Sequence, residues 1–382
     1  MAENLGRPIK VLHVVTRMNT GGVAVLLDDL MSSFDPSKVE ATLITGSCDE
    51  TEEDYLSIHK RDYRLIRVSN LQKKFNLQRD FQAFLEIRRS IKSLRIDVVH
   101  THTSKAGLLG RLAASTVKLR PVRVHTFHGH LLTGYFSSWK TKLVYSIEKF
   151  LEHFTDSFVA MGSQVRNDLE SIGLGKRARF NVFFPGLPSR VFEPKSIARK
   201  ELGLAPNDTH ILFVGRMTAI KRPDRLLDSI EELVVRNVDI RVLAAGDGEL
   251  LPALRERATK ANLPITFLGW RSDVPKLIAA SDIAVLTSDN EAVPLTLIEA
   301  SMAGLPLVST NVGSVSDVVK HEVNGYLVDT EPAALADALQ KLAIDPVLRE
   351  IMGKAGRERA TRYFSLEKMC ADHTELYQLL HR

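Results

Sequence analysis

Two glutamates eight residues apart, Glu291 and Glu299, lie in the stretch SDNEAVPLTLIEASMAGLP at 288–306. An ionised carboxyl accepts hydrogen bonds and cannot donate them, and it takes two donors at once. Two such groups can therefore hold two hydroxyls of a sugar or a ribose. A Gly-Gly pair ending at Gly22 follows the apolar run Ile9-Lys-Val-Leu-His-Val-Val15. Adjacent glycines let backbone approach a ligand closely, and the amides of a following helix can hold a phosphate. Two further runs end in histidines: Val98-Val-His-Thr-His102, and Arg123-Val-His-Thr-Phe127 followed by His128-Gly-His130. The carboxyl edge of an open sheet is where reactive side chains are delivered. Arg216 and Lys221 stand five residues apart behind His210-Ile-Leu-Phe-Val214.

These residues need strand–loop–helix units to carry them. Ile283-Ala-Val-Leu286 is an unbroken apolar run of the kind found in buried parallel strands, and Gly304 with Pro306 marks a helix stop. Pro294 fits a first helical turn, so a helix is predicted from Pro294 and Leu295, with Leu295, Leu297, Ile298 and Met302 inward. Glu291 then falls in the loop at the strand's carboxyl end, and Glu299 about one and a half turns into the helix. Helical spacing is also predicted over 81–94, with Phe81, Phe84, Leu85, Ile87, Ile91 and Leu94 on one face and Arg88, Arg89, Lys92 and Arg95 on the other. Pro185-Gly-Leu-Pro188 and Pro194 punctuate a stretch without periodicity. A chain of 382 residues exceeds what one core usually serves. The expected organisation is α/β: a first doubly wound domain at 1–187, a linker at 188–205, a second at 206–362, and a terminal helix at 363–382.

The E-x7-E spacing, with Pro-Leu between the glutamates and AGLPLVSTNVGS behind, resembles the donor-sugar motif of retaining GT-B glycosyltransferases of family four, the glycogen-synthase-like enzymes. Gly215-Arg216 closing a strand, with Lys221 beyond, is similar to the second hallmark of that family, and Phe127-His128 to a third. The resemblance implies two Rossmann-like domains facing a central cleft, a terminal helix crossing back to the first, and transfer of a hexose from a nucleotide diphosphate (UDP is expected) with anomeric retention. It implies that Arg216 and Lys221 meet the diphosphate, that Glu291 binds the donor sugar and Glu299 the ribose, and that His128 sits beside the reacting sugar. Gly22 would contact the donor phosphates or the acceptor. Gly269 and Trp270, at the end of Ile265-Thr-Phe-Leu268, would border the base, and Pro294 and Leu295 would line the donor site. Where the family often has an acidic residue after the glycines, this chain has Val23-Ala24-Val25.

Composition is that of an ordinary globular protein, 44% hydrophobic and 25% charged. No apolar run is long enough for a membrane span, and MAENLGRPIK lacks a signal-peptide core, so a cytoplasmic protein is expected. Cys48 and Cys370 sit far apart, so neither a disulfide framework nor a zinc site is expected of them, and His128-x-His130 has no carboxylate or cysteine cluster beside it. No D-x-D pattern offers a diphosphate-bound metal, and neither metal nor cofactor is expected. Residues up to Arg190 carry 28 Lys/Arg against 19 Asp/Glu, hence +9, and the remainder carries 23 against 27, hence −4. A basic first half suits an anionic partner. The expected partners are a nucleotide-sugar donor, a sugar or lipid-linked glycan acceptor and an anionic membrane surface at the inner face of the cell membrane, with no nucleic acid. Aromatics and lysines in 131–142, notably Tyr135, Phe136, Trp139, Lys140 and Lys142, suit a membrane interface. The competing readings are an NAD-dependent oxidoreductase, disfavoured because T-G-G-V-A-V lacks G-x-G-x-x-G, a sugar-nucleotide epimerase of similar architecture, and a non-catalytic anion- or membrane-binding scaffold.

Overall fold

A computed structural model describes residues 7–49, 52–58, 61–129 and 138–382. The chain divides into two compact units, 1–188 with 366–382, and 189–365. The first contains strands β1 (Ile9–Val15), β2 (Val39–Thr45), β3 (Arg64–Arg67), β4 (Val98–His102), β5 (Val122–Phe127), β6 (Ser157–Ala160) and β7 (Arg179–Val182). Its helices are α1 (Gly22–Ser32), α2 (Tyr55–Ile58), α3 (Leu77–Leu94), α4 (Ser104–Ser115), α5 (Ser138–Leu151) and α6 (Ser163–Ser171). The second contains α7 (Lys195–Glu201), β8 (His210–Val214), α8 (Pro223–Val235), β9 (Arg241–Ala245), α9 (Leu251–Lys260), β10 (Ile265–Gly269), α10 (Val274–Ala280), β11 (Ile283–Leu286), α11 (Leu295–Ala303), β12 (Leu307–Thr310), α12 (Val315–Val318), β13 (Gly325–Val328), α13 (Pro332–Ile344) and α14 (Pro346–Tyr363). Helix α15 (Leu366–Leu380) completes the first unit.

Both sheets are parallel, in the orders β3-β2-β1-β4-β5-β6-β7 and β10-β9-β8-β11-β12-β13. Helices cover the strands, so β1, β4, β11 and β12 read as nearly continuous buried runs. Each order reverses direction once, between β1 and β4 in the first unit and between β8 and β11 in the second. In open α/β sheets a crevice opens at that point, outside the carboxyl ends of the strands.

The structure departs from the sequence reading in three places. The stretch 188–205 contains helix α7, which belongs to the second unit. Arg199 fixes it there by donating to the Ala280 carbonyl at 2.9 Å and to Asp282 at 2.5 Å. Helix α3 starts at Leu77, where the Asn76 side chain accepts from the Arg79 amide. Of its apolar face, Ile87 and Ile91 are buried with Ala83, whereas Phe81 is 61% exposed. In α11, Ala300 and Ser301 join Leu297 and Ile298 inside, leaving Leu295 and Met302 half-buried. Small residues face inward there because α14 packs closely: a Cβ on its Gly353 would stand 2.0 Å from the Gly304 carbonyl oxygen.

Candidate active site

In the second unit the residues expected to act are brought to the two lips of the switch point. Lys221 follows β8 and Glu291 follows β11, and Lys221 Nζ lies 2.5 Å from Glu291 Oε1. Ser288 Oγ donates to the same oxygen at 2.6 Å. The two loops are laced together behind the pair. Thr287 Oγ1 donates to the carbonyls of Lys221 and Arg222, the Asp289 amide donates to the Ile220 carbonyl, and the buried Arg225 guanidinium donates to the Thr287 carbonyl and to Asp289. Arg222 has φ 49°, a left-handed conformation uncommon outside glycine, directly between Lys221 and α8. Its guanidinium binds Asp224 and Asp289, which holds the turn in that conformation.

The Arg216 segment is fixed from the neighbouring strand. The Gly215 amide donates to the Ala245 carbonyl and the Met217 amide to the Asp247 carbonyl. A Cβ on Gly246 would stand 1.9 Å from the Gly215 carbonyl oxygen, so only glycine, at φ 136°, admits this approach. Arg216 itself is exposed. Glu299 is half-buried, and its carboxyl is pushed above the usual range by loss of hydration, with Arg190 opposing the shift. Pro294 caps α11 immediately before Leu295. Gly269, at φ 68°, and the 74%-exposed Trp270 close the edge strand β10.

Three hydroxyls escaped the sequence reading. Ser288 and Ser314 open and close the conspicuous segment SDNE…STNVGS, and Thr218 lies between Arg216 and Lys221. The Ser314 amide donates to the Glu291 carbonyl. The hydroxyls of Ser314 and Thr218 are buried with no hydrogen-bond partner among the described residues. Buried polar groups are normally satisfied, so such hydroxyls beside a charged pair suit a polar ligand.

In the first unit, Gly22 begins α1 behind β1 and is exposed, as is Gly21. His13 of β1 pairs in register with His100 of β4, and both are fully buried with His102. His13 Nδ1 and His102 Nε2 share a hydrogen bond of 3.1 Å, with the rings 10° from parallel. His102 Nδ1 and His128 Nε2 share another of 2.9 Å. His100 is engaged by the Tyr377 hydroxyl of α15 and by Thr126, each at 2.6 Å. Burial lowers these imidazoles, His13 to about 3 and His128 to about 4, with His373 adding to both shifts. They are neutral at physiological pH. Nitrogens of His13, His100 and His102 fall within 4.8 Å of one another, a spacing that could hold a metal ion. In the structure, however, His13 and His102 are bonded to each other, and His100 to Tyr377 and Thr126.

Next to His102, Thr103 adopts φ 66°, an outlier for a β-branched residue, and its hydroxyl bonds that of Thr16 at 2.8 Å across the switch point. His130 and residues 131–137, including Tyr135 and Phe136, lie outside the described residues. Of 138–142 only the backbone is described, as the first turn of α5.

Comparison with known proteins agrees with the two-sheet fold. Residues 20–188 match the family model described as Glycosyltransferase Family 4, and 194–359 the one described as Glycosyl transferases group 1. The UDP-Gal:alpha-D-GlcNAc-diphosphoundecaprenol alpha-1,3-galactosyltransferase of Escherichia coli is 30% identical over 328 residues, 82% of this chain and 83% of that protein. The capsular polysaccharide biosynthesis glycosyltransferase CapM of Staphylococcus aureus is 24% identical over 85% of this chain and 87% of its own length. Among solved structures, Anabaena Alr3699/HepE in complex with UDP and glucose superposes with a TM-score of 0.79 at 20% identity, covering 97% of this chain and all of that one.

Proposed function

We propose that this chain, which belongs to the group 1 glycosyl transferases of family 4 with the GT-B fold, transfers a hexose-type sugar from UDP to a hydroxyl of a lipid-linked glycan, with retention and without a metal ion. The observation that carries the reading is the contact of Lys221 with Glu291 at the switch point. The bond to be broken joins a sugar to a diphosphate. A cation for the diphosphate touching a carboxylate for the sugar therefore marks where that bond lies. Lys221 and Arg216 neutralise the departing UDP, Glu291 receives donor-sugar hydroxyls, and Glu299 receives the ribose hydroxyls. Gly269 and Trp270 border the base, Pro294 and Leu295 line the donor site, Gly22 meets the donor phosphates or the acceptor, and His128 hydrogen-bonds the reacting sugar.

The lipid-linked acceptor is favoured by the first unit's surface as well as by the acceptor in the E. coli relative's name. Phe75, Leu77 and Phe81 are 73%, 94% and 61% exposed on the segment entering α3, beside exposed Lys73, Lys74 and Arg79. Rings and a leucine next to cations suit a bilayer of anionic lipids. Among the described residues no helix is long and apolar enough to cross a membrane. The test is incubation with a panel of nucleotide sugars, following UDP release with and without a polyprenyl-diphosphate-linked sugar. Acceptor-dependent UDP release is expected. Conversion of one nucleotide sugar into another without UDP release would establish an epimerase instead.

A further inference from the structure

We infer that His13 and His102 are positioning residues that hold His128 as an Nδ1–H hydrogen-bond donor toward the bound sugar, a role that rests on the glycosyltransfer reading. The three rings form an unbranched chain, His13 Nδ1 to His102 Nε2 and His102 Nδ1 to His128 Nε2. A neutral imidazole carries one N–H and one lone pair, so each ring must donate at one nitrogen and accept at the other. Only two arrangements satisfy both bonds. Either all three protons sit on Nδ1, with every bond pointing outward to His128, or all three sit on Nε2, with every bond pointing inward.

The terminal nitrogens decide between them. His13 Nε2 and His128 Nδ1 are both buried without a hydrogen-bond partner among the described residues. His13 is the closed end: its residue is 0% exposed, enclosed by the rings of Phe34, His100 and Tyr377. The surrounding polar groups are already committed, His100 to Tyr377 and Thr126, and His373 Nδ1 to the Met369 carbonyl. An orphaned buried N–H is rarer in proteins than an acceptor left short of a donor. His13 therefore keeps a bare Nε2 and its proton on Nδ1. That choice propagates through His102 and leaves an N–H on Nδ1 of His128, a residue that is half-buried where His13 is fully enclosed. In this state Nε2 of His128 is filled by the proton of His102, and His13 Nε2 has no hydrogen-bond partner among the described residues to supply a proton. Protonation of the rings is opposed by burial. His128 can thus donate a hydrogen bond to a sugar oxygen but serves as neither general base nor proton relay.

The test is long-range nitrogen–proton NMR of the full chain labelled with nitrogen-15 in histidine, at neutral pH, with His13→Asn, His102→Asn and His128→Asn used to identify the resonances. The expected spectrum shows the Nδ1–H form at all three positions. An Nε2–H form at His102 or His128 overturns the inference. In steady-state assays His102→Phe, which keeps a ring but no nitrogen, should lower kcat about tenfold with the donor KM within about twofold. His102→Asn, whose carboxamide both donates and accepts, should recover part of the loss, and no recovery counts against the positioning role. An Nδ1–H spectrum in a protein that transfers no sugar would sink the functional reading and leave the tautomer standing. An Nε2–H spectrum in an active glycosyltransferase would do the reverse.

Discussion

Breaking the Lys221–Glu291 pair from each side in turn should give unequal losses of stability. At 2.5 Å and an effective dielectric near 20 the gross attraction is about 7 kcal/mol, most of it offset by the hydration both groups give up. The Glu291 side chain is 9% exposed and that of Lys221 21%. Lys221→Met takes the cation away from the more buried charge and should cost about 3 kcal/mol. For a unit of the size of residues 189–365 this lowers Tm by roughly 6–12 °C. Glu291→Gln leaves the better-hydrated lysine and should cost about 1 kcal/mol. The double variant strands no charge, so its loss should fall short of the sum by about 2 kcal/mol. Scanning calorimetry of the four full-length proteins measures this directly, and calorimetric UDP titration adds the functional half. Freed of its carboxylate, Lys221 in Glu291→Gln should bind UDP at least as tightly as in the parent while turnover falls. Losses additive to within about 0.5 kcal/mol, or weaker UDP binding by Glu291→Gln, would refute the reasoning.

Arg216→Ala should reduce turnover by on the order of 3 kcal/mol, a factor above one hundred, with Tm unchanged because the side chain is exposed; turnover within threefold of the parent would remove Arg216 from the diphosphate site. Activity should persist in EDTA, since the sequence has no D-x-D and two cations stand where the diphosphate would leave; loss in EDTA with recovery in Mg²⁺ or Mn²⁺ would contradict this. Because the Glu299 carboxyl is raised above 4.5 by burial, the native state holds the extra proton. The stability this contributes is present at low pH and is lost as pH rises from about 4.5 through the folded value. Glu299→Gln should therefore melt higher than the parent at pH 7, with a gap that narrows toward pH 4, while losing nucleotide affinity; a lower melting temperature at pH 7 would overturn the argument.

Much of this was readable from the sequence because parallel strands covered on both faces must be apolar throughout. Ile283–Leu286 is such a run, and all four residues are buried. The loop glutamate, the helix glutamate and the Gly304 stop follow from local chemistry. What escaped depends on distant partners. Helix α7, with the polar sequence KSIARKE, owes its place to an ion pair between Arg199 and Asp282, which no local pattern announces. The stripe on α3 gives the periodicity but not how much of it is covered, and Phe81, on that stripe, is 61% exposed. His13 reads as one more position in a buried strand, and its link to His128 passes through His102 on another strand. Lys221 and Glu291, each singled out alone, touch across 70 residues of sequence.

Helix α15 seats Tyr377 against His100 and Cys370 against the Leu30 carbonyl, yet it follows the second unit in the chain. The consequence is temporal. A ribosome that has finished the first seven strands must still synthesise residues 189–365 before that face can be covered, a delay of roughly 10–35 s at about 5–20 residues per second. During that interval His100 lacks its hydrogen bond with the Tyr377 hydroxyl. Maturation of the first unit is thereby tied to completion of the second, and a ribosome that stalls within the second leaves the first without its cover.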